Sequence, residues 1–163
     1  MLVGEQPGDE EDRAGHPFVG PAGQVLHRAL AAAGLNREEL YVTNAVKHFK
    51  FVERGKRRIH QTPRAGEVAA CRPWLEAEVE AVKPEIMVCL GATAAKSVFG
   101  HQFRLTEQRG TILRSTMAPK TIATFHPSAV LRVETPEQKE NYFRLLVEDL
   151  TLAREAARLS EVG

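Results

Sequence analysis

Cysteine is scarce in this chain. Cys71 and Cys89 are the only two, too few for a disulfide framework, and Cys89, inside IMVCLG, is expected to be a small core residue. No apolar run approaches the roughly 20 residues that a membrane-crossing helix needs, and the opening residues show no secretory-signal pattern. A cytoplasmic protein that does not enter a membrane is expected. GEQPGDEED lacks the Gly-Lys-Ser/Thr ending of a phosphate-binding loop, which disfavours a metal-dependent nucleotide hydrolase. There is also no internal repeat, linker or low-complexity segment. The 163 residues, 43% of them hydrophobic, suit one domain (1–163) with a sizeable core.

The net charge of +1 hides a segregation. Glu5, Asp9, Glu10, Glu11 and Asp12 load one stretch, whereas Lys47, Lys50, Arg54, Lys56, Arg57, Arg58 and Arg64 load another. A basic run is most often a solvated face. Here it surrounds a glycine in a segment that reads as a long exposed loop from Lys47 to Gln61, the form expected of an arm that grips phosphates.

The first stretch organises the chain. Met1 to Val3 reads as the end of a buried strand, after which Gly4, Pro7 and Gly8 restrict or release the backbone and hold Glu5 and Gln6 in defined directions. In an open α/β sheet, ligands sit beyond the carboxyl ends of the strands. A second rigid turn, His16 to Gly23, presents Phe18. Taken alone, GxxPG could equally be an ordinary connector.

Further along, Ala22 to Ala33 has helical spacing, with Gly34 placed to end it. Leu40 to Val46 suits a short strand that brings Asn44 to the sheet edge occupied by Glu5. Thr62-Pro63 reads as the cap of a helix running toward Lys83, with Val68, Trp74, Leu75 and Val79 on its apolar face. Ile86 to Leu90 is a central parallel strand and Gly91 to Phe99 a short helix, followed by an irregular stretch or small hairpin from Phe103 to Arg114. Lys120 to Phe125 is a strand ending at His126-Pro127-Ser128, and Thr135 to Gln138 is a capping box that opens the last helix. Strands alternating with helices predict a three-layer α/β/α sandwich around about four parallel strands. Glu5/Gln6, Asn44 and His126 each then follow a strand. A lone histidine there is usually structural, but three polar features at equivalent strand ends point to a site.

GEQPGDEED with HPFVGPAG, then YVTNAVKHFK, GKRRIH, ACRPWLEAE, VCLGATAA and FHPSAVLR, taken together and in order, resemble the uracil-DNA glycosylase superfamily. More narrowly they resemble its UdgX type, close to the iron-sulfur family 4 enzymes, and the likeness runs from Leu2 to about Leu150. It implies excision of uracil from DNA in repair. Phe18 would stack on the base, Asn44 would read its edge, Ser128 would assist binding, and His126 would hydrogen-bond the departing uracil. It further implies that His60 of the KRRIH segment bonds covalently to the sugar, with Glu5 and Gln6 positioning the reacting groups and Lys56, Arg57 and Arg58 holding phosphates. By spacing alone His60 is a solvated loop histidine among arginines. A conventional turnover enzyme and a non-catalytic DNA-binding remnant stay open beside the covalent reading.

The resemblance also implies a 4Fe-4S cluster. Cys71 matches one ligand, and His48 stands where family 4 has cysteine, so two candidates remain where four are expected. The paired cysteines upstream of the GEQPG strand are not in this sequence, and the expectation is a missing N-terminal segment. The expected partner is uracil-containing DNA, single-stranded by preference, bound by a monomer.

Overall fold

Residue alternation in short strands puts two apolar cores on opposite faces of one sheet. The computed structural model describes residues 1–161. In chain order the elements are β1 (Leu2–Gly4), α1 (Asp9–Ala14), α2 (Pro21–Ala32), β2 (Val42–Asn44), β3 (Phe51–Arg54), β4 (Arg57–His60), α3 (Ala65–Val82), β5 (Ile86–Leu90), α4 (Ala92–Phe99), α5 (Leu105–Gln108), β6 (Lys120–Thr124), α6 (Ser128–Arg132) and α7 (Pro136–Glu161). The four-stranded sheet has the order β2-β1-β5-β6 and is parallel throughout, as expected.

Leu2, Val88, Leu90 and Ile122 pack with Val25, Leu26 and Leu30 of α2 and Leu146 and Leu150 of α7. The alternate strand residues Val3, Met87, Cys89 and Ala123 pack with Leu75 of α3 and Ala94, Ala95 and Val98 of α4. This period of two is what a strand imposes, and helices on both faces let the central strand β5, Ile86–Leu90, be apolar throughout. Each fully buried leucine contributes about 1.5–3 kcal/mol relative to exposure. Cys89 is a core residue, as anticipated, and its burial pushes the thiol up to about 12. Thr135 and Gln138 cap α7 reciprocally, side chain to backbone, at 3.2 and 3.3 Å. Among the described residues no helix is long and apolar enough to cross a membrane.

From β1 the chain moves to β2 on one side and later to β5 on the other. The crevice between the carboxyl ends of β1 and β5 is therefore the switch point where such sheets take ligands.

The structure corrects several expectations. Lys47 to Gln61 is not simply a loop. It contains the antiparallel hairpin β3–β4, with Phe51 opposite His60 and Val52 opposite Ile59, turned at Gly55 with φ 62°. A glycine at positive φ between two short strands is a hairpin turn signal that the surrounding charges obscured. Asp9 to Ala14, inside the first Gly/Pro-rich stretch, is a helix. Thr62 does not cap α3: Arg64 does, its N–H donating to Glu67 Oε2 at 2.6 Å. Trp74 is 65% exposed, whereas Leu75 is fully buried, because the stripe through Cys71 and Leu75 faces the sheet and position 74 turns away from it. Finally, the stretch from Phe103 to Arg114, expected to be irregular or a small hairpin, carries the short helix α5 and a single bridge from Leu113 to Thr121.

Candidate active site

Gly4 pairs in register with Asn44, so the chains leaving β1 and β2 start as neighbours. A Cβ at Gly4 would lie 2.5 Å from Asn44 Oδ1 and 2.6 Å from the Phe18 ring. Only glycine lets the amide and the ring close over this strand end. Phe18 has φ 55°, a left-handed conformation that a bulky residue keeps only when its surroundings enforce it. Glu11 enforces it from α1, accepting the N–H groups of Val19 at 3.1 Å and Gly20 at 2.9 Å. Arg37 donates to the Pro17 carbonyl at 3.1 Å. The Phe18 and His126 rings stack at 5.7 Å, which joins the turn from His16 to Gly23 to the end of β6.

The hairpin is anchored to the same place. Gln6, buried, donates to the carbonyls of Lys50 at 3.2 Å and Gln61 at 3.1 Å and accepts from the Lys50 N–H at 3.2 Å, so it pins both strands at their base. Arg58 turns inward. Its guanidinium donates to Asp9 at 2.5 Å and Asp12 at 2.8 Å and lies over the rings of Phe49 and Phe51 at 5.2 and 5.0 Å. The acidic pair on α1 thus neutralises one of the basic residues, while Lys56 and Arg57 remain exposed at the turn. Replacing Arg58 with alanine is expected to speed amide exchange across residues 51–60 roughly tenfold, the factor that follows from losing charge-assisted hydrogen bonds. Exchange in β5 and β6 should be unaltered.

With the hairpin held this way, His60 Nε2 lies 2.8 Å from Glu5 Oε1. Thr93 Oγ1 donates to Glu5 Oε2 at 2.7 Å. Burial pushes the Glu5 carboxyl up, but the hydrogen bonds from His60 and Thr93 outweigh it and hold the group below the ordinary carboxylate range. His126 is pushed down to about 4, first by burial and next by the Arg132 charge, against the opposing pull of Glu5. The His126 ring is therefore neutral at pH 7. Its Nδ1 accepts the Ser128 N–H at 3.1 Å and faces Ser128 Oγ at 2.7 Å, which leaves the ring proton on Nε2. Arg132 donates to Ser128 Oγ at 2.7 Å.

Glu5, Gln6, Phe18, Asn44, His60, His126 and Ser128 line one cavity of about 720 Å³. The Asn44 side chain makes no hydrogen bond among the described residues although the residue is only 7% exposed, so its amide is free to read a ligand's edge.

Lys56 and Arg57 lie outside this cavity, as do His48 and Cys71. The latter two line a separate cavity of about 340 Å³ together with Trp74 and Glu67. Among the described residues no three or more His, Cys, Asp or Glu side chains gather to hold a metal ion. The residues present therefore do not make a complete four-ligand cluster site.

Residues 1–151 match the model of the uracil DNA glycosylase superfamily. The chain belongs to that superfamily. Among its relatives is the type-4 uracil-DNA glycosylase of Thermotoga maritima, 38% identical over 155 residues, which are 94% of this chain and 75% of the relative. The type-4 uracil-DNA glycosylase of Archaeoglobus fulgidus is 35% identical over 91% of this chain and 75% of its own. The type-5 uracil-DNA glycosylase of Pyrobaculum aerophilum is 32% identical over 78% of this chain and 60% of its own. The superfamily match spans all the elements that build the cavity.

Three residues of this glycosylase-superfamily site were not singled out by sequence reasoning. Glu11 reads as one acid among several. Thr93 lies in an alanine-rich helix start with no motif of its own. Leu131 is 47% exposed on the cavity rim, and its only signal in the sequence is an apolar residue soon after His-Pro-Ser.

Proposed function

We propose that this chain excises uracil from DNA and then bonds through His60 to the sugar left behind, in the manner of the UdgX type. The observation that carries the reading is the His60–Glu5 contact at 2.8 Å in the same cavity as Phe18, Asn44 and His126.

Uracil inside a duplex is out of reach, so the nucleotide must be extruded, at an unstacking cost of a few kcal/mol that single-stranded DNA largely avoids. Leu131 on the rim has the form of an apolar wedge that fills the space the base vacates. Phe18 offers a flat wall for the base. The Asn44 amide matches the uracil edge, accepting from N3–H and donating to O4. Cytosine presents the opposite pattern there and would leave buried groups unpaired. His126 Nε2–H donates to O2 as negative charge gathers on the departing base, so a neutral donor stabilises an anionic leaving group.

When the bond from N1 to C1′ breaks, C1′ is electron-poor. A ring nitrogen of His60 bonds to it, and the ring sheds one proton to Glu5, which passes it to the uracil anion. The products are free uracil and an imidazole joined to C1′, itself an N-glycoside with no group placed to release it.

A uracil-containing single-stranded oligonucleotide tests this. Free uracil together with a protein–DNA band that survives SDS and heat supports the reading. Free uracil without a lasting band makes the protein a turnover glycosylase, and neither product makes it a binding module. Lys56 and Arg57 should serve mainly to neutralise phosphates. Replacing both with alanine is expected to flatten the plot of log affinity against log salt by about 0.7 for each single-strand phosphate that is no longer neutralised, a change that salt titration by fluorescence anisotropy checks.

A further inference from the structure

Glu5 serves the reaction through Oε1, while its other oxygen, Oε2, has a partner of its own. β5 is the sheet neighbour of β1, so the first turn of α4, which follows β5 directly, stands beside the residue that follows β1. That residue is Glu5, and the α4 side chain meeting it is Thr93. Thr93 Oγ1 donates to Glu5 Oε2 at 2.7 Å while Glu5 Oε1 meets His60 Nε2 at 2.8 Å. Two different elements therefore engage the two oxygens of one carboxylate. A threonine is stiff about its first side-chain torsion, and Thr93 precedes Ala94 and Ala95, both fully buried, so its hydroxyl projects from a fixed base.

We infer that Thr93 is a positioning residue: by fixing Glu5 Oε2 it aims Glu5 Oε1 at the His60 imidazole, so the proton shed when the ring bonds to C1′ has an acceptor already in line. The inference rests on the covalent reading above. The Thr93 hydroxyl serves Glu5, whereas His126 is held by Ser128 and the Phe18 turn by Glu11. Loss of that hydroxyl should disturb proton acceptance from the His60 ring. It should also raise the Glu5 carboxyl, since the Thr93 bond is one of the contributions lowering it; the other groups that lower it are His60 and His126.

The test compares Thr93→Val, which keeps the shape, with Thr93→Ser, which keeps the hydroxyl. Under single-turnover conditions with a uracil-containing single-stranded oligonucleotide, Thr93→Val is expected to lower the share of excised sites that end as adduct about tenfold, water bonding to C1′ in the remainder, a change within the range that misaligned reacting groups produce. Thr93→Ser should restore the adduct share. In the DNA-free protein, a carbon-13 titration of the Glu5 carboxyl should move to higher pH in Thr93→Val and return in Thr93→Ser. An unchanged adduct share together with an unmoved Glu5 titration overturns the inference. If the parent protein releases uracil without forming an adduct, the covalent reading fails. In that case a Glu5 titration that still moves upholds the hold of Thr93 on Glu5, and one that stays put overturns it.

Discussion

Replacing His60 with serine is expected to abolish the covalent adduct while uracil continues to be released. His60 is the cavity residue whose ring nitrogen already faces a carboxylate, Glu5, at 2.8 Å. Serine is too short to carry a nucleophile from the hairpin to C1′, and its small volume opens room for water beside Glu5. The carboxylate proposed to take the imidazole proton is then expected to take one from water, and a positioned general base of this kind contributes about 10²–10⁴-fold. The variant should therefore turn over, releasing more than one uracil per protein, whereas the parent is expected to stop at one. A denaturing gel and a chromatographic uracil assay read both quantities. A shifted band of undiminished intensity in His60→Ser would remove His60 as the linking group.

Replacing His126 with alanine is expected to lower the rate of uracil release by about 10²–10³-fold, the range seen when a single oxyanion-type donor is deleted. The adduct should slow in parallel, because C1′ becomes electrophilic only as the base departs. Ser128 holds the Nδ1 side of the ring at 2.7 and 3.1 Å and so keeps the donor on Nε2. The pH dependence separates this role from that of a cationic acid. With the folded value near 4, His126 stays neutral as pH falls through about 6.5, its ordinary value, and release should show no step there from this residue. Stability behaves differently. Between about pH 6.5 and 4 the unfolded chain binds a proton at this histidine that the folded chain refuses, so stability contributed at this position falls as pH drops through that window. In His126→Ala that slope disappears. Single-turnover release rates and denaturant titrations across this range measure the two effects separately.

The sheet and the strand-end residues were legible because their signals are local. Ile86 to Leu90 and Lys120 to Thr124 are short apolar runs bounded by turn residues, and Glu5, Asn44 and His126 lie at or just beyond the ends of strands. What was not legible depends on partners far apart in the chain. Arg58 reads as one more solvated arginine until the fold brings Asp9 and Asp12 to it across 49 and 46 residues. Gln6 reads as a residue that positions the reacting groups, but that its amide engages the hairpin backbone at Lys50 and Gln61 depends on residues 44 and 55 positions away. The β3–β4 hairpin was hidden by its charges, since exposed strands carry little of the apolar alternation that marks buried ones. Trp74 belongs to the apolar face by type but not by angle, and one position on a helix is enough to move a side chain from the core to the surface. Thr93 carries no signal at all, because its partner is Glu5, 88 residues away.

Mass analysis of the tryptic peptides after reaction with a uracil-containing oligonucleotide, trimmed by nuclease, tests the covalent account most directly. Cleavage after Arg58 and Arg64 isolates Ile59–Arg64, in which His60 is the sole histidine. The predicted result is that this peptide gains the mass of a deoxyribose-containing remnant and that fragmentation places the gain on His60. Uracil released in full while Ile59–Arg64 keeps its unmodified mass, or a remnant carried by a different peptide, would contradict it.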